Sequence, residues 1–429
     1  MGRKYKLEEP MYHRTLLPNG VRIISEHIPY VRSISLGLWF EAGSRDELLE
    51  ERGLAHFIEH MLFKGTERYS ARDMAELMDQ CGGHLNAFTG KEHTCYFARV
   101  LDEDYPIAVD LLHQMLVHSL FDEAEITKEQ GVVLEELNMA EDEPDELVHD
   151  LVSEALWPDH PLGRNILGAK ETVLKFDRRK ILDFMARNYT TGRLVIACAG
   201  SVDHERLVDE FARRFESLPA GKLEPKTVPE PARGRVLIKE RDTEQVYLCV
   251  GMPALTRHDL RKPALYLLDS IVGGGVSSLL FQELREERGL VYNTYSYHSS
   301  YRDTGLFSIY ASFSRQHLDA VLSVILEQLG GIGSRINDEV LERAKGQFVG
   351  NLMLSLESMS NRMTNLAKNE INYGRIVPVD ELAAAVQRVT KDEIIELAEA
   401  LFRPSNLSVA AVGPVDHIAW GDLCCRKIC

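Results

Sequence analysis

Three residues able to do chemistry lie close together in the run His56-Phe57-Ile58-Glu59-His60. Read as a helix at about 100° per residue, His56 and His60 fall one turn apart on one face, with Glu59 projecting beside them. Two imidazoles so placed can reach one metal ion, and a neighbouring carboxylate can take a proton from the water that the ion activates. Leu54, Ala55, Phe57, Ile58, Met61, Leu62 and Phe63 surround them, so this helix is expected to be buried nearly all round. Burying three polar groups without partners would cost on the order of several kcal/mol, which a metal ion and its water would offset. The plainer alternative is two core histidines bonded to backbone carbonyls, with Glu59 bonded to one of them.

A catalytic zinc usually keeps three protein ligands and leaves its fourth position to water, so a further donor is needed. The helical pattern from Glu123 to Met139 carries Glu129 and Glu136 seven residues apart, which places them within about 20° of each other on a helix. Glu135 points roughly 100° away. Glu136 is therefore the candidate third ligand, and Glu129 a candidate supporting carboxylate behind it. The competing reading of both is the solvated face of a Glu-rich helix.

Two further segments bear on substrate. Gly83-His84-Leu85-Asn86-Ala87-Phe88-Thr89 alternates small or apolar residues with polar ones and reads as an edge strand, whose unpaired backbone groups can receive an extended peptide. Arg285 and Tyr292 stand at a seven-residue interval in Arg285-Glu286-Glu287-Arg288-Gly289-Leu290-Val291-Tyr292; by chemistry alone they are a surface Arg and a core Tyr. Gly273-Gly274-Gly275 is not followed by Gly-Lys-Ser or Gly-Lys-Thr, which excludes a phosphate loop and leaves a flexible turn.

The elements that must position these residues recur in order. In the first half, Val21 to Ile24 and the alternating Ile34, Leu36, Leu38 and Phe40 read as strands, the second half-buried. Helical stretches follow at about 51–64 and Arg72 to Gln80. A strand pair comes next, His84 to Thr89 and Thr94 to Val100, and then helices at Asp104 to His118 and Glu123 to Met139. In the second half, strands at Val236 to Ile238 and Gln245 to Gly251 precede a helix at Ala264 to Val272. Strands at Tyr292 to His298 and Gly305 to Phe313 lead to helices at Gln316 to Leu329 and Asp338 to Leu356. Between the halves lie Pro219, Pro225, Pro229 and Pro231, a density that supports neither helix nor central strand. The expected fold is α+β: two duplicated α/β-sandwich domains with mainly antiparallel sheets, arranged as a clamshell. Their bounds are 1–217 and 236–429, with 218–235 as the linker.

The 429 residues suit two domains near the upper size limit. Lysine and arginine total 49 against 66 acidic residues, and the net charge of −17 argues against a nucleic-acid partner and tolerates a basic peptide. No apolar run approaches the roughly 18 residues needed to span a bilayer. Glu8 and Glu9 stand where a secretory signal would be apolar. Cys81, Cys95, Cys198 and Cys249 are scattered without metal-ligand spacing, as reduced cytoplasmic cysteines are. Cys424, Cys425 and Cys429 read as an exposed tail.

The run His56 to Thr66, then Gly82 to Thr89, then Glu129 through Glu136, resembles the pitrilysin-type inverzincins. The likeness spans essentially the whole chain, and it is strongest to the branch of bacterial processing proteases and the mitochondrial processing peptidase β subunit. It implies a zinc metalloendopeptidase with one Zn2+ on His56, His60 and Glu136, Glu59 as general base and Glu129 assisting. It further implies substrate binding by Asn86 and Ala87 on the edge strand, and by Arg285 and Tyr292 reaching the substrate backbone or oxyanion. The second half has no His-x-x-Glu-His, so it is expected to be a metal-free substrate wall. A homodimer is expected, acting on peptides or unfolded segments. The alternatives are a non-catalytic scaffold of the same fold and a peptide-binding subunit that depends on a partner.

Overall fold

The computed structural model describes residues 11–216, 218–221 and 226–415; the cysteines at 424, 425 and 429 lie outside them. The first sheet is built from β1 (Met11–Leu16), β2 (Arg22–His27), β3 (Ser33–Phe40), β4 (His84–Thr89), β5 (Thr94–Leu101) and β6 (Leu194–Gly200), in the order β1-β2-β6-β3-β5-β4. Helices α1 (Leu54–Met61), α2 (Ala71–Gln80), α3 (Tyr105–Val117) and α4 (Glu123–Asp142) belong to the same half of the chain. The second sheet holds β7 (Val236–Glu240), β8 (Val246–Pro253), β9 (Asn293–Ser300), β10 (Gly305–Phe313) and β11 (Ser408–Gly413), in the order β7-β11-β8-β10-β9.

Apart from β1 the two sheets are wired identically. Each has one parallel pair, β2 with β6 and β7 with β11, and is otherwise antiparallel. The duplication expected from element order is thus present in the strand topology. The helix that follows β8, α6 (Lys262–Val272), contains no histidine or glutamate.

Two compact units result: Met1–Leu134, Ile166–Pro225 and Ser355–Val377 form one, and Glu135–Asn165, Lys226–Leu354 and Pro378–Cys429 the other. The division falls within α4, a single unbroken helix. Each unit includes a helix from the opposite half of the chain. In the second, α5 (Pro144–Leu156) sets Leu147, Val148 and Val152 against Cys249, Tyr310, Ala410 and Val412. In the first, α7 (Met359–Tyr373) sets Met363, Leu366 and Ala367 against Ile24, Trp39, Val195 and Ala197.

This second helix corrects the reading of β3 as half-buried, for the strand is covered on both faces. Ser35, Gly37 and Trp39, the residues between the apolar alternates, face α7. A Cβ at Gly37 would come 2.5 Å from the Met363 sulfur, and the Trp39 Nε1–H points at that sulfur at 3.2 Å. Small residues at alternate positions record a close helix here, not solvent. Ion pairs to buried carboxylates hold α7 in place: Arg14 donates to both Glu370 oxygens at 2.7 and 2.9 Å, and Arg362 pairs with Glu26.

β6 and β11 have no counterpart in the sequence-based assignment. Leu194-Val195-Ile196-Ala197-Cys198-Ala199-Gly200 has no alternation because every residue is buried, as is usual for a strand with both faces covered. Cys81, Cys95, Cys198 and Cys249 are free thiols. Among the described residues no helix is long and apolar enough to cross a membrane.

Candidate metal centre

Helix α1 begins abruptly. Gly53 has φ +90°, in the left-handed region that a side chain disfavours. The Glu47 carboxyl oxygens accept the N–H groups of Gly53 and Ala55 at 3.0 and 2.8 Å, satisfying donors that the first helical turn leaves open. Leu54, Ala55, Phe57, Ile58 and Met61 are buried, whereas His56, Glu59 and His60 are only partly so. The helix is therefore sunk in the core except along the stripe that carries its polar groups.

Helix α4 supplies the carboxylates. Glu129 is buried, Glu136 partly buried and Glu135 exposed, in keeping with their angular separation on the helix. The ligand atoms of His56, His60 and Glu136 all lie within 4.8 Å of one another, and the two imidazole rings are 4.5 Å apart between centroids. Zinc bonds of about 2.0–2.2 Å hold any two ligand atoms within roughly 4.4 Å, so small side-chain rotations suffice to close this set on one ion. Burial first, and then the neighbouring His60, push His56 down to about 4. Its imidazole is consequently neutral near pH 7, the form that offers a lone pair to a metal. Two imidazoles and one carboxylate are a donor set suited to zinc.

Glu129 sits behind the ligands. Its Oε1 is 2.7 Å from His60 Nδ1, and its Oε2 is 2.5 Å from Lys64 Nζ. When Nδ1–H donates to that carboxylate, Nε2 is the nitrogen of His60 left able to bind a metal. Glu59 lies outside the ligand set; its Oε2 accepts the Thr89 hydroxyl at 2.5 Å. Lys64, Thr89 and Glu47 did not figure among the sequence candidates. Lys64 follows His60 by four residues and Thr89 ends the strand read as an edge, so both carried a positional signal. Glu47 carried none, since its role depends on a loop fold.

Asn86 and Ala87 lie on β4, which is the edge of the first sheet. The Ala87 N–H is turned to the Asn86 Oδ1 at 2.8 Å. Arg285 and Tyr292 belong to the second unit. Arg285 is exposed, its guanidinium 5.0 Å above the Phe281 ring. Tyr292 is 71% exposed, which corrects the core position that chemistry alone assigned to it. It precedes β9 and lines a cavity of about 600 Å³ with Asp145, Asp242, Glu244, Tyr247 and Tyr310.

Two histidines one turn apart on a mostly buried helix, the Glu59 carboxylate beside them and Glu136 from a second helix form a group able to hold a metal ion, the kind of arrangement a metal-dependent hydrolase uses. Comparison with known proteins specifies the class. Residues 22–170 match the family described as insulinase (peptidase family M16), and residues 175–348 match the peptidase M16 inactive domain. The chain is 41% identical to an uncharacterized zinc protease of Streptomyces coelicolor, across 94% of this chain and 89% of that one. An uncharacterized zinc protease of Bacillus subtilis is also 41% identical, across 94% and 98%. Among solved structures, a peptidase M16 inactive domain from Pseudomonas fluorescens superposes with a TM-score of 0.87 at 19% identity, covering 94% of this chain and 98% of that one. A protease from Helicobacter pylori gives 0.84 at 20%, covering 94% and 100%. The chain belongs to peptidase family M16.

Proposed function

We propose that His56, His60 and Glu136 hold one zinc ion and that Glu59 is the general base of peptide-bond hydrolysis. The chain is a zinc-dependent peptidase. The observation that carries the residue assignment is the convergence of His56, His60 and Glu136, with Glu59 held beside them on Thr89. Zinc bound there supplies Lewis acidity toward the scissile carbonyl and lowers the pKa of water toward about 7. Glu59 takes the proton of the attacking water and returns it to the leaving amine. Glu129 fixes the ring of His60, and the β4 edge at Asn86 and Ala87 aligns an extended peptide by main-chain pairing.

The substrate is a peptide or unfolded segment, and the action is endoproteolytic, of the processing-peptidase kind. Residues 1–217 act as the catalytic domain. Residues 236–429, which carry no metal motif, act as the wall that closes over the peptide, with Arg285 and Tyr292 as its contacts to the substrate backbone. A homodimer in the cytoplasm suits the reading, as does a preference for basic peptides given the net charge of −17. The match of residues 175–348 to an inactive domain keeps a scaffold role as the second reading. Metal analysis beside cleavage of a peptide library, with and without chelator, separates the two. Glu59→Gln is expected to keep zinc and lose cleavage, and His60→Ala to lose both. Full turnover by Glu59→Gln would remove the base from Glu59.

A further inference from the structure

We infer that Thr89 is the positioning residue of the general base, tying the aim of the Glu59 carboxylate to the edge strand on which the peptide lies. The inference rests on the reading of Glu59 given above and goes beyond it in assigning a role to Thr89.

Glu59 has three side-chain torsions, and a carboxylate so close to a metal site can swing onto the ion as readily as onto a water. A base that must not become a ligand needs a restraint from outside its own helix. Thr89 provides one. Its Oγ1 donates to Glu59 Oε2 at 2.5 Å, and a charge-assisted bond of that kind fixes the direction in which the carboxylate faces.

The restraint is stiff for two reasons. Threonine is β-branched and has restricted χ1 freedom. Its backbone is also fixed, because Thr89 pairs in register with Thr94 at the end of β4, and the Thr94 hydroxyl is itself bonded to the Ala42 carbonyl at 2.9 Å. Along β4 the residues Leu85, Ala87 and Thr89 share one face, and Ala87 is the buried residue of that strand. The hydroxyl that holds the base therefore belongs to the same short strand as Asn86 and Ala87. A peptide pairing with β4 and the base that takes the proton of the attacking water are referred to one rigid element, and the aim of the base does not depend on the independent mobility of α1.

The test uses the zinc-loaded full chain and an unstructured quenched-fluorescence peptide that the wild type cleaves. Thr89→Val keeps the β-branched shape and removes the donor; Thr89→Ser restores the donor. Thr89→Val is expected to lower kcat about 10- to 100-fold with KM within about twofold and zinc content unchanged, and Thr89→Ser to recover kcat to within about threefold of wild type. Wild-type kcat in Thr89→Val beside an inactive Glu59→Gln overturns the role of Thr89 and leaves the base assignment standing. So does a loss that Thr89→Ser fails to repair, or one accompanied by loss of zinc. Turnover retained by Glu59→Gln overturns both.

Discussion

Glu129 offers one carboxylate oxygen to the Nδ1 of His60 at 2.7 Å, so the second histidine of the motif is oriented by a residue on another helix. The other oxygen of Glu129 is taken by Lys64 at 2.5 Å. The chain Lys64, Glu129, His60 fixes the ring plane of His60, one of the proposed zinc ligands.

Removing that support is expected to weaken zinc binding without abolishing it. Glu129→Ala should lower zinc affinity about 10- to 100-fold, read by competition with a chromophoric chelator. Lys64→Met should have a smaller effect of the same sign, because Glu129 then keeps His60 but loses its own anchor. Wild-type affinity in Glu129→Ala would show that His60 is held by packing alone.

The start of α1 is equally exacting. Gly53 has φ +90°, and a Cβ there would come 2.5 Å from the Leu167 carbonyl oxygen and 2.8 Å from Gly168 Cα. Gly168, at φ +89°, faces back against the Arg52 carbonyl oxygen. Gly53→Ala combines left-handed strain with a backbone clash and is expected to cost about 2 kcal/mol or more. The urea midpoint should fall and zinc content should drop with it, since the strain enters the helix three residues before His56. A variant as stable as wild type would mean that the Leu167–Gly168 loop yields freely.

Much of this arrangement was legible in the residues themselves. His56, Glu59 and His60 announce themselves because their spacing matches a helical turn and their neighbours are apolar; the seven-residue interval put Glu129 and Glu136 on one helix face, and it was the family resemblance that singled out Glu136 as the ligand. The strand pair β4 and β5 was legible by alternation. What local pattern could not show is what depends on distant chain. The cover of β3 by α7 makes a fully buried strand of one that alternates, and only the partner Met363 explains Gly37. β6 and β11 escaped because a strand buried on both faces has no period. Thr89 and Lys64 escaped for a different reason: their positions were suggestive, but a hydroxyl or an ammonium has no assigned partner until the fold places a carboxylate against it.

A pH dependence of stability follows from His93. Its ring lies against Trp39 at 5.3 Å and Phe88 at 6.1 Å between centroids. Burial first, and then the nearby Lys368, push it down to about 4. In the unfolded chain the same imidazole takes a proton near its ordinary 6.5. Between these values unfolding takes up a proton, so stability falls as the pH drops from about 6.5 to about 4, by on the order of 3 kcal/mol in total. Above 6.5 both states are neutral and the effect vanishes. His93→Gln, compared with wild type by urea unfolding across that range, should flatten the acid slope. Parallel slopes in the two proteins would show that His93 is protonated in the folded state as readily as in the unfolded.

The edge of β4 makes a prediction about substrate that needs no variant. β4 has β5 on one side only, and the Ala87 N–H on its open side is occupied by the Asn86 Oδ1 at 2.8 Å. A side-chain acceptor at that position protects a strand edge from indiscriminate pairing, and a peptide carbonyl of matching register can displace it. A strand added there alternates residues that bond to β4 with residues that face away. Peptides N-methylated at one residue at a time should therefore show KM raised about tenfold at alternate positions, the equivalent of one lost main-chain hydrogen bond of about 1.4 kcal/mol, and little change between them. A period of two in that profile identifies strand addition. A profile with no alternation would mean that the peptide is held through its side chains, and that the open edge of β4 serves the fold alone.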